Sequence, residues 1–263
     1  MQKKKLFLDL MYRYSNGDKL YQNSKSLENL VEYNHHSIDL FGNYGITNFI
    51  SVDFYLNYNI RSLTQYGFRT KGYGFSNIFT GIRYNLYESE NSDILVMFGG
   101  GIKIPLMKFK PIEQYPIIVQ PSSGSFGFYA FGTLQKSIQK YDINFLLYSR
   151  FDYNFRNSLN YHFGPSLSNS LFVSHRLGSN FVVLAELKYL HFVQDKFNDT
   201  VFTNSGGNYL AIAPRISYTS EKVNISPFVE IPLYQNYNGE QVGMKFSFGI
   251  NFNYFYNLSR KRI

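Results

Sequence analysis

The chain is 263 residues long, enough for one large domain, and its formal net charge of +8 is spread along the sequence with basic clusters only at residues 3–5 and 260–262. Only 17% of residues are charged, below the ~25% of a typical soluble domain, while 19% are aromatic (24 Tyr and 26 Phe), a content that excludes disorder. No uncharged apolar run approaches the ~18 residues of a membrane helix, the absence of Cys excludes disulfides and thiolate chemistry, and no basic stripe suits a nucleic acid, which leaves an all-β protein.

Apolar residues alternate with a period of two nearly throughout, and helical i, i+3, i+4 patterning is absent. The alternation predicts strands over 6–14, 38–44, 50–60, 78–86, 94–104 and 126–134 in the first half of the chain. It predicts 141–147, 161–173, 181–189, 210–218, 223–233 and 242–254 in the second. One row of each strand carries no charge, and seven of these rows hold a Tyr near an end: Tyr14, Tyr44, Tyr58, Tyr84, Tyr189, Tyr218 and Tyr254. Aromatic girdles at two interfaces are the mark of a membrane barrel.

The opposite rows hold Asp9, Arg13, Asp39, Asp53, Arg83, Lys103, Arg150, Asp152, Glu186, Lys188, Arg215, Glu230 and Lys245, together with Phe41, Tyr55, Phe79 and Phe131. Such a mixture suits a crowded polar lumen better than an open surface. The connections alternate in length as well. Those at 15–36, 61–73, 106–124, 153–160, 191–208 and 234–241 are long, and those at 45–48, 87–92, 137–140, 177–180 and 219–222 are tight. This rhythm on an even number of strands predicts a transmembrane, antiparallel, up-and-down β-barrel of about twelve strands, with long extracellular loops, short periplasmic turns and both termini periplasmic. A Greek-key sandwich would not keep it. Residues 1–263 then form one barrel domain, with periplasmic tails at 1–5 and 257–263. The apolar stretch after the opening lysines is cut short by Asp9, Tyr12 and Arg13, so an export signal is expected to have been removed already. Pro165, Pro214 and Pro227 fall within the apolar rows, where a closed barrel has no edge to accept them, and predict bulges or displaced strand ends.

Four stretches are less generic: Gly72-Tyr73-Gly74-Phe75-Ser76-Asn77, Gly100-Gly101-Ile102-Lys103-Ile104-Pro105, Gln120-Pro121-Ser122-Ser123-Gly124-Ser125 and Pro232-Leu233-Tyr234-Gln235-Asn236-Tyr237-Asn238-Gly239. In this order, over roughly residues 38–256, they resemble the outer-membrane transporter family named after the phenol meta-cleavage pathway. Its members are similar in outline to the hydrocarbon-uptake channels of Gram-negative bacteria. The sequence departs from the family's pattern at Asn77, where an acid is usual, and at Leu106-Met107, where a Gly is usual; both departures bear on the ligand more than on the fold.

Twelve strands lie between the eight that fill themselves and the sixteen that enclose an aqueous channel, so a narrow or partly plugged pore is expected. The inward row has six acids and seven bases, too balanced for the one-signed rings of an ion-selective filter. The candidate pore lining is Asp39, Asp53, Arg83, Lys103, Arg150, Asp152, Glu186, Lys188, Arg215, Glu230 and Lys245. Paired charges with inward aromatics suit a small, partly apolar solute, hydrophobic or aromatic. The loop at 106–124 is too apolar for free solvation, and Met107, Phe109, Ile112 and Tyr115 are its candidate constriction.

Catalysis has weaker support. The Ser and His candidates are His35-His36-Ser37, His162 with Ser166, and Ser174-His175. Neighbours in a strand point to opposite faces, and none of these lies in a nucleophile elbow. No catalytic, metal or cofactor site is assigned. Expected partners are outer-membrane lipid, lipopolysaccharide and a small hydrophobic or aromatic solute, with the oligomeric state open. Three readings follow: a narrow passive channel; a structural or ligand-binding barrel with a plugged lumen and functional loops; and, least favoured, a lipid-modifying hydrolase.

Overall fold

The structure is a computed structural model and describes residues 3–27, 31–89, 93–112 and 114–257. Its main sheet has fifteen strands, of which three short segments (Lys19–Asn23, Lys25–Leu27 and Phe68–Phe75) extend the loops. The other twelve form the barrel. In chain order they are β1 (Lys5–Gly17), β2 (Val31–Gly45), β3 (Ile50–Gln65), β4 (Asn77–Ser89), β5 (Ile94–Pro105) and β6 (Gly127–Ile138). They continue with β7 (Ile143–Asn154), β8 (Ser166–Leu177), β9 (Phe181–Phe192), β10 (Gly207–Thr219), β11 (Val223–Gly243) and β12 (Phe246–Asn257). Each pairs antiparallel with its neighbours in sequence, and β1 pairs with β12 from Lys5↔Asn257 to Asn16↔Phe246, closing the ring. Closure leaves no edge strand, which is what a sheet in lipid requires. Of the expected tails, residues 1–2 and 258–263 lie outside the described residues, whereas Lys5 and Asn257 form the last rung.

The uncharged rows face outward. Ile82 and Ile102 expose 59% and 52% of their surface, while Asp53 and Glu230 keep 4% each. This inside-out partition is unstable in water and is satisfied by a membrane. The tyrosines separate into two levels. Tyr44 (opposite Leu6), Tyr84 (opposite Ile50), Tyr218 (opposite Phe181) and Tyr254 (opposite Val223) lie at the short-turn end. Tyr14 (opposite Phe248), Tyr58 (opposite Phe75) and Tyr189 (opposite Leu210) lie toward the loops. These are the expected girdles.

Several expected strand limits shift: the second strand starts at Val31 and not at 38, the third runs to Gln65, and the twelfth spans Phe246–Asn257 and not 242–254. The eighth strand begins at Ser166 and not at 161, because Tyr161–His162 pairs with Lys196–Phe197 in a small sheet of the outer loops and Pro165 stops the barrel ladder. The turn placed at 87–92 starts later, since β4 holds its pairing to Ser89 past a bulge between Asn85 and Tyr87. The loop placed at 234–241 is extended: β11 runs to Gly243, but its register shifts between Tyr237 and Glu240. Glu240↔Gln22 and Gly243↔Lys19 then continue the register of Asn16↔Phe246, so the chain reverses near residue 239 and starts back toward β12.

Pro214 and Pro227 sit inside β10 and β11, and the rungs missing from this ladder lie beside them: pairing jumps from Ile212↔Ile231 to Arg215↔Phe228 and on to Tyr218↔Ile225. Both prolines therefore direct their missing donor at one seam. A shallow apolar hollow of about 690 Å3 marks the outer wall there, between Val183, Ala185, Pro214, Ile216, Pro227 and Val229.

Candidate functional site: the lumen and its roof

The inward rows divide the barrel interior into a packed half and an open half. On the packed side, Phe79, Tyr129 and Phe131 project from β4 and β6 among cations. The Arg150 guanidinium lies 4.6 Å from the Tyr129 ring centroid and 4.9 Å from that of Phe79. Arg83 lies 5.2 Å from Phe131 and 5.8 Å from Phe41. Each cation also has a carboxylate. Arg150 donates two bonds to Asp152 (2.7 and 2.9 Å), Lys103 reaches Asp152 at 3.2 Å, and Arg83 reaches Asp53 at 3.0 Å. Cation–π contact and ion pairing together hold these rings as a bank along one wall. The Phe131 ring can lie along the wall because its cross-strand partner on β5 is Gly99, where a Cβ would come within 2.6 Å of Phe131 Cζ.

The open half is a cavity of about 860 Å3. Its walls include Asp9, Arg13, Asp39, Glu186, Lys188 and Glu230. Here too the charges are satisfied from within. Asp39 accepts from Ser37 Oγ (2.9 Å), Asn57 Nδ2 (2.6 Å) and the Tyr55 hydroxyl. Glu230 accepts from Lys188 Nζ (2.5 Å) and Tyr209 (2.9 Å), with Arg13 at 3.9 Å. Glu186 accepts from Ser170 at 2.7 Å, and Arg215 stands 4.9 Å from the Phe228 ring while donating to Asn251. The result is a wet, nearly balanced cavity with fixed dipoles and no ring of one sign.

Ten of the eleven candidate lining residues occupy inward positions of the barrel strands. Lys245 lies between β11 and β12 and extends to Asp18 at 2.6 Å on the outer loops. Four of the five histidines hydrogen-bond elsewhere than to Ser: His35 with Asn59 (2.6 Å), His36 with Tyr12 (2.8 Å), His175 with the Tyr141 carbonyl (3.0 Å) and His191 with Asn208 (2.9 Å); His162 instead sets its ring edge-on to Tyr153 at 5.5 Å. Among the described residues, no cluster of three metal-ligating side chains forms.

The loop between β5 and β6 roofs the cavity. Val119 is fully buried against Leu20, Val31, Tyr33 and Leu63, which are inward or rim residues of the mouth, with Tyr115 and Ile118 packed alongside. Polar contacts fasten the segment behind it. Arg61 Nη1 donates to the Gln120 carbonyl (2.8 Å), and the Gln120 side chain bridges back to Lys110 N and O (2.7 and 2.9 Å). Asn77 binds Ser122 and Ser123, both at 2.9 Å. Two of the four distinctive stretches, 72–77 and 120–125, thus serve this roof. Gly72 is bare because a Cβ there would overlap the Val119 carbonyl oxygen. Gly72→Val should therefore lift the segment, with single-channel conductance rising while the barrel still folds; unchanged conductance would mean that the roof does not limit passage.

Of the candidate constriction, Tyr115 packs on the Val119 cluster and donates to the Lys71 carbonyl. Met107 lies against Gly74, and Phe109 turns from the mouth to stack with Tyr161 and Phe163 (5.3 and 5.5 Å). Ile112 lies beside Leu159 and Phe197. The sequence marks Gln120 only as the start of a distinctive stretch and Val119 only as part of an apolar loop, and it does not single out Asn57 and Asn59; polar residues on the inward row of β3 are the available signal for these two.

With the geometry in place, the comparisons decide the architecture. An outer-membrane channel from Pseudomonas putida F1 superposes with a TM-score of 0.78 over 97% of both chains, at 9% identity. The fold is that of an outer-membrane β-barrel. The β domain of the Bordetella autotransporter BrkA (TM-score 0.56, 11% identity, 95% of this chain and 99% of that one) and the NanC porin (0.52, 13%, 94% and 98%) are similar at lower scores. No family model and no curated protein matches the chain. At these identities the likeness is one of fold.

Proposed function

We propose that the protein is a narrow passive channel for small hydrophobic or aromatic solutes, of the kind its resemblance to the phenol meta-cleavage transporter family implies. The observation that carries this reading is the 860 Å3 cavity, walled by balanced charges and by the rings of Phe41, Tyr55, Tyr148 and Phe172, beneath an apolar roof. An aromatic solute meets apolar surface at the mouth and aromatic side chains within the cavity, and the pre-paired charges demand no counter-ion from it. The role of the Pseudomonas protein as a channel supports the same reading.

The competing reading, a structural barrel with a plugged lumen and working loops, draws on the same roof, since Val119 is completely enclosed. Reconstitution separates the two. Phenol and toluene should enter proteoliposomes faster than empty liposomes, and faster than a sugar of similar size. Aromatic entry no faster than into empty liposomes, with folding verified by heat-modifiable gel mobility, would favour the plugged barrel.

A further inference from the structure

Outside the lumen, the outer loops enclose a second, smaller hollow of about 100 Å3, lined by Phe109, Pro111, Ile112, Leu159 and Phe197. We infer that this hollow is a capture site for a single six-membered aromatic ring with at most a short alkyl substituent. The inference rests on the channel reading for its purpose only; binding is measurable separately from flux.

No side chain of the lining carries a nitrogen or oxygen, so the hollow offers a ligand no side-chain hydrogen bond and rejects polar solutes by desolvation. An apolar cavity of ~150 Å3 stays dry and takes up benzene. At about 100 Å3, partly open to the outside, this one fits the body of one ring and is too small for two fused rings. Two of its five lining side chains are aromatic, and the surrounding contacts hold the wall in place. Phe109 is 5% exposed and sits edge-on to Phe163 at 5.5 Å. Phe197 lies on the small loop sheet opposite Tyr161, whose hydroxyl is held by Asp195 at 2.5 Å. The Leu159 amide is held by Asn157 Oδ1 at 3.0 Å, and Lys110 N by Gln120 at 2.7 Å. A site assembled in advance loses little ordering entropy when a ring enters. Phe109, Pro111 and Ile112 also belong to the loop whose Val119 roofs the lumen, so a captured ring would lie on the structure that closes the channel.

The test is a fluorine NMR titration of the intact barrel in lipid nanodiscs with fluorobenzene, against empty nanodiscs. Wild type should give a saturable shift that 1-fluoronaphthalene does not reproduce. Leu159→Trp, which fills the hollow, should weaken fluorobenzene binding at least about tenfold, and Leu159→Ala, which enlarges it, should admit the naphthalene. Binding unchanged in Leu159→Trp with the barrel folded, or no saturable shift in wild type, overturns the capture site. Should Leu159→Trp fail to fold, exclusion of the naphthalene from Leu159→Ala overturns it instead. Flux of aromatics without saturable binding would overturn this site alone, and binding without flux would overturn the channel reading alone.

Discussion

Removing the roof should raise ionic conductance several-fold. Val119 makes its seal with Leu20, Val31, Tyr33 and Leu63, and the segment before it reaches the barrel through Tyr115 and Ile118. Replacing residues 107–119 with a short Gly-Ser linker takes away this lid while leaving the β5–β6 ladder, Ile94↔Lys136 to Lys103↔Gly127, untouched. What remains is a twelve-stranded barrel half filled by its aromatic bank, intermediate between a self-filled eight-stranded wall and an open porin, and an increase of about three- to tenfold is expected. Val119→Asp should approach the same result by a different route. A carboxylate in that apolar cluster is several kcal/mol too costly to keep there, so the loop is expelled and the strands persist. Planar-bilayer recording checks both variants. Conductance equal to that of wild type in both would show that the narrowest point lies deeper, among the lumen side chains.

The second large effect is expected at Glu230. Its carboxylate is 4% exposed and joins Lys188, Tyr209 and Arg13 across three different strands. Glu230→Ala leaves two cations facing one another without a counter-charge. In a dry interior the loss would be ~3–5 kcal/mol. The Arg13 side chain keeps 28% exposure and Lys188 keeps 15%, so water in the lumen relieves part of it and a loss of about 2 kcal/mol is expected. Urea unfolding in lipid vesicles reads that loss. The same substitution makes the cavity wall net positive, and reversal potentials should move toward anion preference. Adding Lys188→Met should recover most of the stability and the ion balance, because the two effects share one cause and are not additive. A Glu230→Ala barrel as stable as wild type and equally non-selective would mean that this cluster is solvated too well to matter.

The barrel wall was legible in the sequence because each strand has lipid on one side and a wet interior on the other. Rows such as Ile94-Val96-Phe98-Gly100-Ile102-Ile104 can face only lipid, and charges such as Asp53 and Glu230 can face only the lumen. The turn rhythm followed from the same alternation. The alternation misleads where that contrast ends. Tyr161, Phe163 and Pro165 keep the apolar period beyond the membrane and so imitate a longer eighth strand; in the structure the Tyr161 and Phe163 rings pack on each other and on Phe109, with Phe197 against Tyr161. Lys245 likewise kept the period of the inward row but stands beyond the top of β12, beside Asp18. The roof was foreseen only as an apolar loop. That Val119 would seal the mouth, and that Gly72 and Asn77 would receive the segment around it, depends on contacts between residues about fifty positions apart, which no local pattern encodes.

The central claim is that small aromatic molecules cross through this lumen beneath this roof. The most direct measurement is entry of phenol and toluene into liposomes bearing the purified barrel, compared with empty liposomes and with the barrel lacking residues 107–119. The account predicts faster aromatic entry through the native protein than through lipid alone, with the deletion further admitting polar solutes that the native protein holds back. Aromatic entry no faster than in empty liposomes, through both forms of a barrel shown to be folded, would contradict it and move the search for function to the outer loops.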